Sequence, residues 1–186
     1  HPSYARIHLT DHSVENPAEP PMFCMLMRKH IEGGFIQSIE QNEFERIITF
    51  TIESTNEIGD KVTRKLIIEI MGRHSNCILT DAANDQIIDS LKHLPPSVNS
   101  YRTVLPGQSY IAPPSQHKKD PLTLQTEEVK ALIQEENQAS AIIQTIAGFS
   151  PLHANELIAR LTNGESYEAY VKQLTNNAMP NYTEVN

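Results

Sequence analysis

Arg46-Ile47-Ile48-Thr49-Phe50-Thr51-Ile52-Glu53, the turn Asn56-Glu57-Ile58-Gly59-Asp60, and Val62-Thr63-Arg64-Lys65-Leu66-Ile67-Ile68-Glu69-Ile70-Met71 decide the fold class. Both runs are rich in Ile and Thr and alternate in polarity, and a Gly-Asp turn separates them. Residues of that type alternate across a pleated surface, so the stretch reads as two strands of a hairpin. Working outward, Phe35–Ile39 reads as a strand before this pair. Cys77–Thr80 and Gln86–Leu91 read as two more after it, joined by the turn Asp81–Asp85. Strand after strand with short turns means a mostly antiparallel sheet or sandwich. Upstream, Pro20-Pro21 opens a helix expected to run to Glu32 and to be largely buried through Met22, Phe23, Met25, Leu26, Met27 and Ile31. Gly33-Gly34 stops it. Tyr4–Thr10 alternates and reads as a further short strand, and Asp11–Pro21 as a loop.

Past Leu91 the pattern changes. Pro95–Pro114 is proline-rich and irregular, with Tyr101–Leu105 as a short extended piece, and Gln116–Pro121 reads as an exposed linker. Glu127–Glu135, Ala139–Ala147, Pro151–Leu161 and Ser166–Leu174 then carry helical periodicity. The class is therefore α+β: an antiparallel sheet or sandwich with one buried helix over residues 1–120, followed by an all-α segment over 121–186.

Composition bounds the function. The 186 residues are 39% hydrophobic and 20% charged, which suits a folded protein. The net charge is −8, so the chain is no general polyanion sponge. The charge is uneven: net −3 over residues 1–52, zero over 53–120 and −5 over 121–186. A polyanion would therefore meet the first two segments. The chain holds no Trp, so no large base-stacking platform is advertised. Cys24 and Cys77 are too few for a disulfide framework and sit among apolar neighbours, which reads as buried free thiols of a reducing compartment. No apolar run is long enough for a membrane span. His1, His8 and His12 are the densest histidine cluster, but on strand and loop they share no face, so no metal site is expected. No phosphate-binding glycine loop and no nucleophile with a base is present, so neither an enzyme nor a cofactor is expected.

Three short motifs offer chemistry, and each has a plain alternative. Ile146-Ala147-Gly148-Phe149-Ser150-Pro151-Leu152-His153-Ala154, within Ile142–Leu161, resembles a helix-hairpin-helix. Gly148 ends one helix; Ser150 and Pro151 start the next, whose free amides can meet a phosphate. Its surroundings are acidic, which favours a hairpin that only packs or touches RNA weakly. Met71-Gly72-Arg73-His74-Ser75-Asn76 places two donors on a loop tip, against the alternative of a polar turn. Glu45-Arg46 opens a strand, where adjacent side chains point to opposite faces and can address different partners; an ordinary solvated strand end is the alternative.

Taken together, longer blocks carry a resemblance. They are His1-Pro2-Ser3-Tyr4-Ala5-Arg6, Asn16-Pro17 through Pro20-Pro21-Met22-Phe23-Cys24-Met25-Leu26, and Arg28-Lys29-His30-Ile31-Glu32-Gly33-Gly34. Downstream come Glu69-Ile70-Met71-Gly72-Arg73-His74-Ser75-Asn76, Ile87-Ile88-Asp89 and Tyr101-Arg102-Thr103-Val104-Leu105-Pro106-Gly107. This order of blocks resembles the NFACT N-terminal domain of the bacterial FbpA/RqcH family, homologous to eukaryotic NEMF. The resemblance covers residues 1–120, and the helical tail is similar to the helix-hairpin-helix domain that follows in that family.

The resemblance implies a fold like the N-terminal domain of formamidopyrimidine-DNA glycosylases, though Pro2 is not positioned as their terminal nucleophile. It implies a chain that starts upstream of His1 and continues into a coiled coil and a C-terminal RNA-binding domain. The implied role is cytoplasmic ribosome quality control. Such a factor binds an obstructed large (50S) ribosomal subunit with its peptidyl-tRNA. It recruits alanyl-tRNA for untemplated tailing of the stalled chain. The family's Asp-Arg pair for tRNA contact maps onto Glu45-Arg46, where Glu stands for Asp, and Arg73 and His74 match another block. A fibronectin- or fibrinogen-binding surface adhesin is the alternative that family names imply.

Overall fold

The computed structural model describes residues 5–13 and 15–176. Two compact units divide between Pro114 and Ser115.

The first unit is built on a five-stranded antiparallel meander. Its strands are β1 (Phe35–Gln41), β2 (Ile47–Thr55), β3 (Lys61–Glu69), β4 (Asn76–Asp81) and β5 (Ile87–Ser90), paired in chain order. Ile47 faces Glu69, which faces Asn76, and Ile67 faces Ile78. Residues opposite one another share a face, so Ile47, Ile67 and Ile78 form one apolar stripe with Ile87 and Val104. Ile78 and Leu79 are fully buried on opposite faces of β4. The strands expected from alternation are there, but as one sheet and not a sandwich. The second layer over the Ile67–Ile78 face is irregular chain. Leu94 and Val104 exchange two backbone hydrogen bonds of 2.9 Å, Ile87 N–H donates to the Gln108 carbonyl, and Gly107 N–H returns to that of Ile87.

A buried ion pair fixes this irregular layer. The Arg102 guanidinium donates from Nη1 and Nη2 to the two carboxylate oxygens of Glu69, at 2.6 Å each. Arg102 Nη1 also donates to the Ile111 carbonyl, and the Tyr110 hydroxyl to Glu69 Oε1 at 2.9 Å. Burial and then the Glu69 charge push the Tyr110 phenol well above its ordinary range. A buried charge is tolerable only when paired and hydrogen-bonded, and this one is both.

Helix α1 (Met22–Ile31) packs against β2 and β5. Pro21 precedes it, and Gly33 at φ +73° turns the chain out of it. Ser54 Oγ donates to the His30 carbonyl at 2.7 Å, satisfying an end carbonyl of the helix. Only Phe23 is buried, while Met22 is 80% exposed and Met25 48%. The expected largely buried helix is thus half covered: its apolar residues run round the helix, and the sheet takes one side. Cys24 and Cys77 are free and half-buried, less enclosed than their apolar neighbours suggest. Residues 5–10 form no strand and are largely exposed, because no neighbouring strand pairs with them; Tyr4 lies outside the described residues. On the outer edge of the sheet, β1 exposes Phe35, Ile36 and Ile39, and its register shifts between Ile36 and Ser38.

The second unit holds α2 (Thr126–Leu132), α3 (Gln138–Thr145), α4 (Pro151–Thr162) and α5 (Tyr167–Asn176). Val129, Ile142, Ile146, Ala154, Leu157, Tyr167 and Tyr170 form its core. Sequence chemistry starts three of the four helices: Gln125 and Glu128 cap α2 reciprocally, Asn137 caps α3, and Ser150 with Pro151 starts α4. The Tyr167 hydroxyl donates to the Pro121 carbonyl at 2.9 Å. Lys119 N–H donates to the Thr145 carbonyl and Ala147 N–H to that of Lys119. The segment Gln116–Pro121, read as an exposed linker, is therefore tied in part to the helices. The chain divides ahead of the boundary expected near Asp120. The described part of the predicted 121–186 segment ends at Asn176.

Candidate nucleic-acid interface

In an antiparallel meander the strand ends alternate, so one end of the sheet collects the end of β1, the start of β2, the end of β3, the start of β4 and the end of β5. That end gathers residues far apart in the chain: Glu45 and Arg46, Arg73 and His74, and Lys92 and His93.

Glu45 and Arg46 lie in the β1–β2 turn, one step ahead of β2, rather than inside the strand. The expected division of the two side chains onto opposite strand faces therefore does not apply. The turn is held by Glu45 N–H donating to the Asn42 carbonyl at 2.9 Å and by Gln41 Nε2 donating to that of Glu45. Glu45 is half-buried and Arg46 exposed. Among the described residues neither side chain makes an ion pair. The Arg46 carbonyl accepts from Ile70 N–H at 2.8 Å, which sets this turn beside the β3–β4 connection.

That connection is one turn of 3-10 helix, Gly72–His74. Gly72 takes φ +55°, and Ser75 Oγ locks the turn by donating to the Gly72 carbonyl at 2.7 Å and accepting from Met71 N–H. Arg73 and His74 are exposed at its tip, where Arg73 Nε donates to His74 Nε2 at 3.0 Å. This bond requires an unprotonated Nε2.

Two basic residues that sequence reasoning missed complete the group. Lys92 Nζ donates to the Arg73 carbonyl at 2.9 Å. Buried Asn76 holds the Lys92 backbone on both sides: its amide donates to the Lys92 carbonyl and its oxygen accepts from Lys92 N–H, each at 2.9 Å. Ser90 Oγ donates to the same carbonyl. His93 Nε2 lies 2.6 Å from Asp89 Oδ1. The available signal was topological: Lys92 lies two residues past the end of the fifth strand, and a meander returns that end beside the start of the fourth.

Arg46, Arg73 and Lys92 share this end with Glu43, Glu45 and Asp89, so the cluster is near neutral in sum. It can contact phosphates one by one and draws no polyanion from a distance. Among the described residues no group of three or more His, Cys, Asp or Glu side chains is arranged to hold a metal, and no helix is long and apolar enough to cross a membrane.

The family model described as NFACT N-terminal and middle domains matches residues 1–184. The chain is 57% identical over 162 residues to the Rqc2 homolog RqcH of Bacillus subtilis (strain 168), covering 86% of this chain and 28% of that protein. It therefore spans less than a third of that curated relative's length. Solved structures share the fold, two of which are described. The N-terminal domain of fibronectin-binding protein PavA from Streptococcus pneumoniae is 40% identical with a TM-score of 0.78, over 95% of this chain and 66% of that one. The N-terminal part of the fibronectin/fibrinogen-binding protein from Streptococcus suis is 37% identical with a TM-score of 0.79, over 93% and 66%.

Proposed function

We propose a function from one premise: the chain belongs to the family of NFACT N-terminal and middle domains. The protein it comes from is a non-enzymatic, cytoplasmic ribosome quality control factor. It binds an obstructed large ribosomal subunit with peptidyl-tRNA and recruits alanyl-tRNA for untemplated C-terminal tailing. The single observation that carries this reading is 57% identity to an Rqc2 homolog over most of the chain. Within it, the sheet end carrying Glu45, Arg46, Arg73 and His74 is the tRNA contact, and Lys92 joins it. We read α3, the Gly148 turn and α4 as the helix-hairpin-helix that follows. Gly148 at φ +76° and the Ser150–Pro151 start of α4 support that reading.

The test is co-purification of RNA with the full-length protein, with and without Arg46→Ala. Large-subunit rRNA and one tRNA should be enriched, and the tRNA alone lost in the variant. A tRNA yield that Arg46→Ala leaves unchanged removes Arg46 from the contact. Absence of both RNAs overturns the role.

A second reading has its own observation, the fibronectin- and fibrinogen-binding names of the two structural relatives. Under it the protein is a surface adhesin. Detection on intact cells together with fibronectin capture by the purified full-length protein would favour it over the first.

A further inference from the structure

Arg73 is braced at three places. The turn that carries it is locked by Ser75 Oγ, which donates to the Gly72 carbonyl at 2.7 Å and accepts from Met71 N–H at 2.9 Å. Its own carbonyl accepts from Lys92 Nζ at 2.9 Å, and buried Asn76 fixes the Lys92 backbone in turn. Its guanidinium is oriented by Nε donating to His74 Nε2 at 3.0 Å. That last bond spends the Nε–H and leaves the Nη1–Nη2 edge of an exposed residue without a partner among the described residues. Arg46, at the same end of the sheet, is exposed too, but no hydrogen bond or ion pair braces its side chain among the described residues. The two arginines therefore differ in kind. A guanidinium presents its donors as a rigid planar fork, and one fixed in advance does not pay the ordering cost of a long side chain on binding.

We propose that Arg73 is the directional reader of the RNA contact: its Nη1–Nη2 edge donates two parallel hydrogen bonds to a planar pair of acceptors, with His74 and Lys92 as positioning residues. Arg46 acts there as a charge without direction. The inference rests on the tRNA reading above and adds what Arg73 recognises. RNA offers this acceptor pair from two sources, two oxygens of one phosphate and the O6/N7 edge of an unpaired guanine. His74 makes the brace sensitive to protons. Protonating Nε2 removes the acceptor, sets a second cation beside the guanidinium and releases the fork. The other charged or titratable groups at this end are Glu43, Glu45 and Arg46 of the β1–β2 turn, Asp89 on β5, and Lys92 and His93 past it. Among them only His93 is a second imidazole.

The test is equilibrium binding of a tRNA transcript to the full-length protein and to its Arg73→Lys, His74→Ala and double variants. Both positions are exposed, so the thermal midpoint should hold. Lysine keeps the charge and loses the fork. Arg73→Lys should weaken binding about tenfold at about pH 7.5. The slope of log K against log salt should stay unchanged, because no cation is removed. Lowering the pH to about 5.5 should shrink that factor to about threefold, and with His74→Ala it should be about threefold at both pH values. His93 stands on both sides of each ratio and cancels. A transcript made with 7-deazaguanosine, which lacks N7, separates the sources: the Arg73→Lys factor vanishes if guanine is read and persists if a phosphate is. Arg73→Lys binding as tightly as the unmutated protein overturns the directional contact. A factor that neither pH nor His74→Ala alters overturns the brace. If the unmutated protein binds no tRNA, the tRNA reading itself falls, and this proposal with it.

Discussion

Glu69 and Arg102 stand 33 residues apart in the chain and meet through two parallel hydrogen bonds of 2.6 Å, with the Glu69 side chain fully buried and that of Arg102 6% exposed. The pair joins an interior strand to chain that has no regular structure. Arg102→Ala should leave the Glu69 charge buried without its partner, at a cost of about 3–5 kcal/mol. Urea unfolding followed through the sheet unit measures it. The double variant Glu69→Gln with Arg102→Met should recover part of the loss, since no bare charge then remains.

Asn76 holds the Lys92 backbone through both ends of its amide. Asn76→Ala should destabilise by about 1–3 kcal/mol, the cost of leaving buried backbone groups unpaired. It should also loosen the Arg73 turn. Faster amide hydrogen exchange at residues 72–75 and 91–93, with little change in the α4 amides, is the expected pattern.

If Arg46, Arg73 and Lys92 neutralise phosphates, RNA binding must depend on salt in proportion. For single-stranded contact, log K against log salt should have a slope of about −2 from these three cations, and Lys92→Gln should flatten it by about 0.7. A slope that Lys92→Gln leaves untouched would remove that residue from the interface.

Glu168 accepts hydrogen bonds from the Thr126 hydroxyl and amide, and the Thr126 hydroxyl is the larger cause of a carboxyl pKa lowered from an ordinary 4.5 to about 2. A depressed folded pKa gives stability that is complete above the unfolded value of 4.5. That contribution is lost as pH falls through about 2. The helical unit should therefore weaken across this window in acid titration, and Glu168→Gln should flatten that limb of the profile. The direction is the prediction, because Glu168 is solvent-exposed.

Local chemistry made much of the fold readable. Ile and Thr alternation marked β2 and β3, Gly33 marked the end of α1, and Ser150-Pro151 marked the start of α4. What failed was whatever depended on a distant partner. Residues 5–10 alternate like a strand yet pair with nothing. The run Met22–Ile31 looks apolar enough to bury, but one sheet surface covers only part of it. Arg102 sits in a proline-rich stretch with no period, so nothing local tied it to Glu69. The same holds for the candidate site: Arg46, Arg73 and His74 could be named from their blocks, while Lys92 acquires meaning only through the strand order that surrounds it.

The two hydrogen bonds that tie Lys119 to Thr145 and Ala147 also bear on how hybrids of this family should be spliced. A graft cut at Asp120 would make the backbone of one parent's Lys119 pair with the other parent's Thr145 and Ala147 across a foreign packing surface. A splice just after Pro114 keeps both partners of each bond in one parent, so each parent contributes one compact unit.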